Sequence, residues 1–346
     1  MQTSSGRLRI AAVVLTYNRC ALIEECLEAL CHQALPLDEI LVIDNASTDD
    51  TREMLKQKFN GQITYVRLDE NLGSAGGFYE GIRLAHEKGY DWIWVMDDDV
   101  KPAADALKAL VESPAFDDPS VGLLASLVLD VKTKTQTPRY EQFNTVMAAC
   151  PDGASWIPVG AGQQRRFSLT MGYRPAVNNE SLEFPLIPVE GVGFLGILIR
   201  RDAISSVGLP LKELFMFWDD LEFTYRISRR FKMFVVPASK IFHRHGWDSR
   251  SPRRFLGFAK QGAGVPFERI SRLYYFVRNE IYVRTKYAKP WLAPFVPVVI
   301  LAKSFGATLL FYDHPLARCK ILCRAGMDGI LGRIEKRITP GGTARP

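Results

Sequence analysis

The sequence predicts an α/β domain with a mostly parallel, Rossmann-like sheet flanked by helices, followed by a basic and partly apolar helical extension. Three observations lead there. Short β-branched runs alternate with amphipathic stretches from Leu8 to Leu129, the pattern of strands joined by crossover helices. Polar residues collect just beyond the C-terminal ends of four successive runs. The fourth of these, Trp92-Ile-Trp-Val-Met-Asp97-Asp98-Asp99, halts at three adjacent carboxylates.

Taken in order, strands are expected over Ile10 to Leu15, Ile40 to Ile43, Ile63 to Arg67, Trp92 to Met96 and Val121 to Leu129. Ser47 and Thr48 are cap candidates for a helix over Thr51 to Phe59, and Gly76-Gly77 opens a second over Phe78 to Lys88. Thr16, Asn18 and Arg19 follow the first strand, Asp44 and Asn45 the second, Asn71 and Gly73 the third, and the triple Asp the fourth. Ligands of open α/β sheets bind outside the carboxyl ends of strands, so four strands point polar groups at one crevice. The glycines of Asn71-Leu-Gly73-Ser-Ala-Gly76-Gly77 fit neither G-x-G-x-x-G nor G-x-x-x-x-G-K-[ST], which argues against a dinucleotide or P-loop site. They serve either a tight turn or a close approach of backbone to a ligand.

Residues 131–188 are rich in Pro, Gly, Gln and Thr and too long for a simple connection; such segments usually shape a binding site. A buried strand is expected over Val189 to Arg200, then an aromatic cluster, Phe215-Met-Phe-Trp218, entering a helix with Asp219 and Asp220 in its first turn. The strand Met233 to Val236 and the pair His243 and His245 follow.

Of 346 residues, 47% are hydrophobic and 24% charged, an ordinary globular composition with room for a large core. Met1 to Arg7 is a short polar tail without an apolar run and cleavage site, so the site is expected to face the cytoplasm. The six cysteines show no C-x-x-C pair or zinc spacing and read as buried free thiols. The net charge of +6 hides an asymmetry: from Arg226 onward there are 24 Lys and Arg against 6 Asp and Glu. A basic tail on an acidic body points to an anionic surface, membrane lipid or nucleic acid. Trp291 to Tyr312 is apolar but interrupted by Pro294, Pro297 and Lys303. It suits a segment lying in a membrane interface, or a helical subdomain packed on a neighbour, better than a spanning helix.

Three adjacent acids repel one another, and crowding them costs several kcal/mol, roughly, unless a cation neutralises the group. Hard carboxylate oxygens suit Mg²⁺ or Mn²⁺, ions that bridge to a ligand's phosphates; a solvated acidic turn is the plainer alternative. The second acidic pair beside Trp218 either complements the helix dipole or supplies a general base, since one of two adjacent carboxylates tends to have a raised pKa.

Together these segments resemble the family 2 glycosyltransferases of GT-A fold, which carry V-x-x-T-Y-N-R, D-N-A-S-T-D, N-x-G-x-A-G-G, a strand ending in D-D-D, and a W-D-D-x-E-F-x-x-R helix followed by a histidine. Here they stand as Val13 to Arg19, Asp44 to Asp49, Asn71 to Gly77, Asp97 to Asp99, Trp218 to Arg226, and His243. Within the family, Gly76-Gly77-Phe78-Tyr79-Glu80-Gly81 and the Trp-Ile-Trp-Val-Met run look most like the bacterial galactofuranosyltransferases that start galactan assembly, and next most like rhamnosyltransferases using dTDP-rhamnose. The resemblance implies an inverting transfer of galactofuranose from UDP-galactofuranose to a polyprenyl-diphosphate-linked glycan during cell-wall biogenesis. It implies Asp220 as base and Asp219 as its helper. Thr16, Arg19, Asp44, Asn71, Gly73, Asp97 and Asp98 are expected to bind donor, and Trp218 and Glu222 acceptor. Asp97, Asp99 and His243 (or His245) are expected to hold Mn²⁺ or Mg²⁺. The implied layout is a catalytic domain over 8–250, with an acceptor-shaping insertion over 131–188, and a membrane-associating region over 251–346. The protein is expected to lie on the cytoplasmic face of the plasma membrane, against anionic lipid and without nucleic acid; a homo-oligomer is compatible with this. Two rival classes are an aspartyl phosphotransferase, for which Asp97 lacks a D-x-D-x-T context, and a nucleotide-sugar-binding module without turnover.

Overall fold

The computed structural model describes residues 2–3, 6–132, 139–142, 147–148, 174–175, 184–244, 267 and 270–338. His245, Cys150 and most of the 131–188 segment lie outside them. The chain divides into two units, Met1–Lys212 with Asp220–His245, and Glu213–Asp219 with Gly246–Pro346.

The first unit is built on an open sheet. Ile10–Thr16 lies inside it, parallel to Glu39–Asp44 on one side and to Trp92–Asp97 on the other, and Thr64–Arg67 extends the parallel run. Beyond Trp92–Asp97 the sheet becomes mixed: Leu195–Arg200 is antiparallel to it and to Val121–Lys132, which pairs in parallel with Lys232–His243. Successive side chains of a strand face opposite sides, and the core divides accordingly. Ala11, Val13, Leu15, Leu41 and Ile43 pack with Phe78, Ile82 and Ala85 of the helix Gly73–Glu87. Ala12, Val14 and Val42 pack on the other face with Ile23, Cys26 and Leu27 of Cys20–Cys31 and with Leu107 and Leu110 of Ala106–Val111. Helices therefore cover both faces, as an α/β sheet with apolar strands requires.

Some boundaries differ from the sequence reading. The helix expected from Phe78 starts at Gly73, which places the glycines inside it. A Cβ on Gly77 would stand 2.3 Å from Leu15 Cδ1 and one on Gly81 2.5 Å from Val13 Cγ1. These residues let the helix lie directly on the sheet; they are packing glycines rather than a ligand cradle. Thr51–Lys58 has Asp50 at its N-cap position without a side-chain cap bond, and Asp49 holds Thr51 instead. Of Val189 to Arg200 only Leu195–Arg200 is strand. Strand pairing near the far edge runs from Lys232 to His243, with an irregularity between Val236 and Lys240, where Pro237 removes a ladder donor. Among the described cysteines, all free, only Cys26 is buried.

The second unit contains the helices Ile270–Tyr287, Phe295–Phe311 and Pro315–Ile330, each packed on the other two. A Cβ on Gly329 would come 2.7 Å from the Arg278 carbonyl oxygen, so the first and third helices cross at close range. Among the described residues no helix is long and apolar enough to span a membrane.

Candidate active site

The parallel register aligns Thr16 with Asp44 and Leu15 with Asp97, which brings the polar ends of three strands to one level. Arg19, at the cap position of the helix Cys20–Cys31, turns back onto the acidic strand end. Its Nη1 donates to Asp98 Oδ1 and Asp99 Oδ2, both at 2.8 Å, and Thr16 Oγ1 donates to Asp98 Oδ2 at 2.7 Å. The fold thus supplies one cation to the carboxylate cluster from its own chain. Asp98 is 3% exposed; burial pushes its carboxyl up to about 6 even with Arg19 and Thr16 pulling the other way. Burial also opposes ionisation of Asp99, but His243 and Arg19 together hold its carboxyl below the usual range.

The expected metal set is only partly assembled. His243 Nε2 lies 3.3 Å from Asp99 Oδ1, a buried oxygen that receives no hydrogen bond. Neighbouring ligands of one small cation, each about 2.1 Å from it, stand about 3 Å apart, so this pair fits a hard divalent ion. Asp97 does not complete the group: among the described residues no set of three His, Cys, Asp or Glu is placed to hold a metal.

On the neighbouring strands Asp44 is fully buried. Its Oδ1 accepts the Ser47 N–H at 2.8 Å, and its Oδ2 accepts Tyr65 Oη at 2.5 Å and Arg67 Nη1 at 2.9 Å. It anchors Tyr65 and Arg67, which sequence reasoning treated only as strand residues; their i, i+2 spacing, which puts both on one face, was the available signal. Asn45, noted in the sequence only as following its strand, proves to be the organiser of the next loop. Its Nδ2 donates to Asn71 Oδ1 (3.1 Å) and the Gly73 carbonyl (3.0 Å), and its Oδ1 accepts the Leu72 N–H (2.8 Å). Asn71 and Gly73 are therefore fixed beside Asp44's strand, with Gly73 at φ +72°.

Asp220 comes to the same sheet from another direction. The helix Asp219–Ser228 is docked by Thr224, whose hydroxyl donates to the Val192 carbonyl and accepts the Val192 N–H, both at 3.1 Å. This places Asp220 against the next residue: a Cβ on Gly193 would lie 3.1 Å from Asp220 Oδ2. One residue further, the Phe194 carbonyl accepts the Asp97 N–H at 3.1 Å. Asp220 and the triple-acid strand end are thus joined through the dipeptide Gly193-Phe194. Asp220 keeps some solvent access, and the protein packed around it pushes its carboxyl up to about 6, against the Leu221 N–H that favours the charged form.

Glu222 is fully buried and pairs with Arg226 Nε at 2.9 Å, while Arg226 also binds the carbonyls of Val207 and Leu209. In this arrangement Glu222 braces the helix through Arg226. Asp219 and Trp218 are buried, and the Arg284 guanidinium lies 5.2 Å from the Trp218 ring centre.

Residues 11–171 match the model of glycosyl transferase family 2. The chain is 30% identical over 223 residues to galactofuranosyltransferase GlfT1 of Mycolicibacterium smegmatis, covering 64% of this chain and 65% of the relative. It is 37% identical over 106 residues to abequosyltransferase RfbV of Salmonella typhimurium, covering 29% of this chain and 31% of that one. The chain thus spans less than two thirds of the length of these relatives. Among solved structures the fold is similar to GalNAc-T7 with UDP, GalNAc and Mn²⁺ (TM-score 0.54, 15% identity, 92% of this chain and 54% of that one). It is also similar to S. aureus TarS 1–349 in complex with UDP-GlcNAc (TM-score 0.51, 17% identity, 94% and 83%). With its motifs on the strand ends of a GT-A sheet, the chain carries a glycosyltransferase family 2 domain over residues 11–171 and resembles the galactofuranosyltransferases.

Proposed function

We propose that the protein transfers galactofuranose from UDP-galactofuranose, with inversion, to a sugar hydroxyl of a polyprenyl-diphosphate-linked glycan at the cytoplasmic membrane surface. One observation carries the reading: a carboxylate with its pKa raised to about 6, Asp220, is tied through Gly193-Phe194 to the strand end bearing Asp97, Asp98 and Asp99. A proton acceptor and an anion-organising centre on one sheet end are what transfer from a nucleotide sugar needs.

Each residue has a task under this reading. Asp220 takes the proton of the acceptor hydroxyl as its oxygen bonds to the anomeric carbon; the bond from that carbon to the diphosphate breaks and UDP departs. Asp219 supports the acceptor side, and Trp218 shapes it. Asn45 fixes Asn71 and Gly73, and Asp44 fixes Tyr65 and Arg67, as the wall that receives the nucleotide. Asp99 and His243 would hold Mn²⁺ or Mg²⁺, and the ion would neutralise charge on the departing diphosphate. Arg19 holds Asp98 and Asp99 in place.

Support for the donor sugar comes from the identity to GlfT1, and for the membrane from the basic C-terminal surplus and the exposed apolar side chains of the second unit. The test is UDP release from a panel of UDP and dTDP sugars with a lipid-linked acceptor fraction from membranes. Turnover is expected with UDP-galactofuranose, and Asp220→Asn should lower kcat by about 10² to 10⁴ with UDP affinity unchanged. Turnover with dTDP-rhamnose alone would move the donor assignment, and a fully active Asp220→Asn would remove the base.

A further inference from the structure

The segment that delivers the acidic pair is held in a conformation that its own residues disfavour. Phe215, Phe217 and Trp218 all have positive φ, 64°, 64° and 69°, in a region where side chains with a Cβ are strained. None of the three is glycine or asparagine, so nothing local selects this shape. Such strain persists only where surrounding groups over-determine it, and it concentrates at functional sites.

The over-determining groups come from the helix Ile270–Tyr287. Asn279 Nδ2 lies 2.9 Å from the Leu214 carbonyl, 2.8 Å from that of Met216 and 2.9 Å from that of Phe217. Arg278 Nη2 donates to Leu214 as well, at 3.0 Å. Arg278 Nε donates to Asn279 Oδ1 at 2.8 Å, which fixes the amide with its nitrogen toward the carbonyls, and Arg278 Nη1 reaches the Glu335 carbonyl at 2.8 Å. Both side chains are fully buried. A buried guanidinium is an expensive way to stabilise a helix packing. Its geometry here serves the coil: three carbonyls that no regular ladder could satisfy converge on one amide.

Resting on the proposed base, we infer that Arg278 and Asn279 are positioning residues for the reaction, clamping the Leu214–Trp218 coil so that Asp219 and Asp220 enter their helix in the orientation catalysis requires. The clamp touches no substrate. It acts through the backbone that runs without interruption from the clamped carbonyls to the two acids. An Asn279→Ala chain keeps the acids but frees the coil to relax toward ordinary φ values, and the acids then sample orientations in which proton transfer is slow.

The experiment uses the full chain, assayed at 15 °C with UDP-galactofuranose and the membrane acceptor fraction. The variants are Asn279→Ala and Arg278→Lys, the latter keeping charge while losing the planar fork. Both are expected to lower kcat about 10- to 100-fold, with the donor KM and calorimetric UDP affinity within twofold of wild type. The pH midpoint of kcat/KM should move, because the surroundings of Asp220 change with the coil. A purely structural role predicts a lower Tm with kcat within twofold and an unmoved midpoint, and that result overturns the inference; so does a rise in KM at constant kcat. If Asn279→Ala does not fold, the milder Arg278→Lys decides on the same criteria. Asp220→Asn run alongside separates the two claims: inactive Asp220→Asn with fully active clamp variants sinks only the clamp, whereas fully active Asp220→Asn sinks the base and the clamp together.

Discussion

Asp220 has a carboxyl raised to about 6 from an ordinary value of 3.8, and this sets opposite signs for activity and stability. As the proposed base it would work only when ionised, so kcat should climb between pH 5 and 7 and then level off. The folded chain binds this proton more tightly than the unfolded chain. The associated stability is therefore present below the unfolded value and is lost as pH rises through about 6. Asp220→Asn, neutral throughout, should gain on the order of 1 kcal/mol at pH 7.5, a Tm about 1 to 3 °C above wild type, with a smaller gain at pH 4.5. Paired melts at the two pH values check it; equal melts at pH 7.5 would show that the site does not penalise the charge. Asp98 illustrates what the sequence conceals at this scale. Three adjacent acids announce a need for positive charge, but the cation the fold provides, Arg19, sits 79 positions away and carries no local sign of its target. Glu222 was legible as part of a W-D-D-x-E motif, not as the partner of Arg226, because a helical i, i+4 pair and an exposed acceptor contact look alike in one dimension.

At the scale of elements, the same substitution at two glycines should have different consequences. Gly77 lies where a helix meets the sheet, and an added Cβ would run 2.3 Å from buried Leu15. Gly77→Ala should cost about 1 to 3 kcal/mol of stability through overpacking while the folded fraction keeps its turnover number. At Gly193 the added Cβ meets only the Asp220 carboxylate, at 3.1 Å. Gly193→Ala should lower kcat at least about tenfold, since a displaced base transfers protons slowly, with a Tm within a few degrees of wild type. Measuring kcat per folded molecule and Tm for both gives a crossed pattern; parallel losses in both variants would mean that Gly193 too is only a packing position. The parallel strands were readable because apolar runs ending in polar residues have few alternative explanations. The glycine motif was readable as present but not as to purpose, since backbone approach to a ligand and to another element call for the same residue. The aromatic coil was legible as aromatic, and its left-handed backbone was not, because the clamp enforcing it lies 62 to 65 positions downstream.

On the scale of the whole chain, charge and apolar exposure fall in the same half of the sequence. Residues from Arg226 onward carry a surplus of 18 positive charges. In the second unit Phe295, Val298 and Leu309 are each more than 60% exposed on one helix, with Trp291 just before it. Positions 295, 298 and 309 share a stripe at helical spacing. Lys and Arg draw a protein to anionic lipid over a Debye length, and exposed apolar side chains hold it once there; neither suffices alone for a lasting attachment. The full chain should therefore float with vesicles containing anionic phospholipid and lose most of that binding at about 1 M salt, where screening shortens to about 3 Å. Val298→Asp with Leu309→Asp should weaken flotation at least tenfold at low salt, because each buried side chain contributes about 1.5 to 3 kcal/mol, while UDP affinity is unchanged. Alkaline carbonate should release the wild-type protein. Flotation by neither chain, together with a dimer in solution that the double variant splits, would assign the exposed stripe to a second copy of the chain instead of a lipid surface.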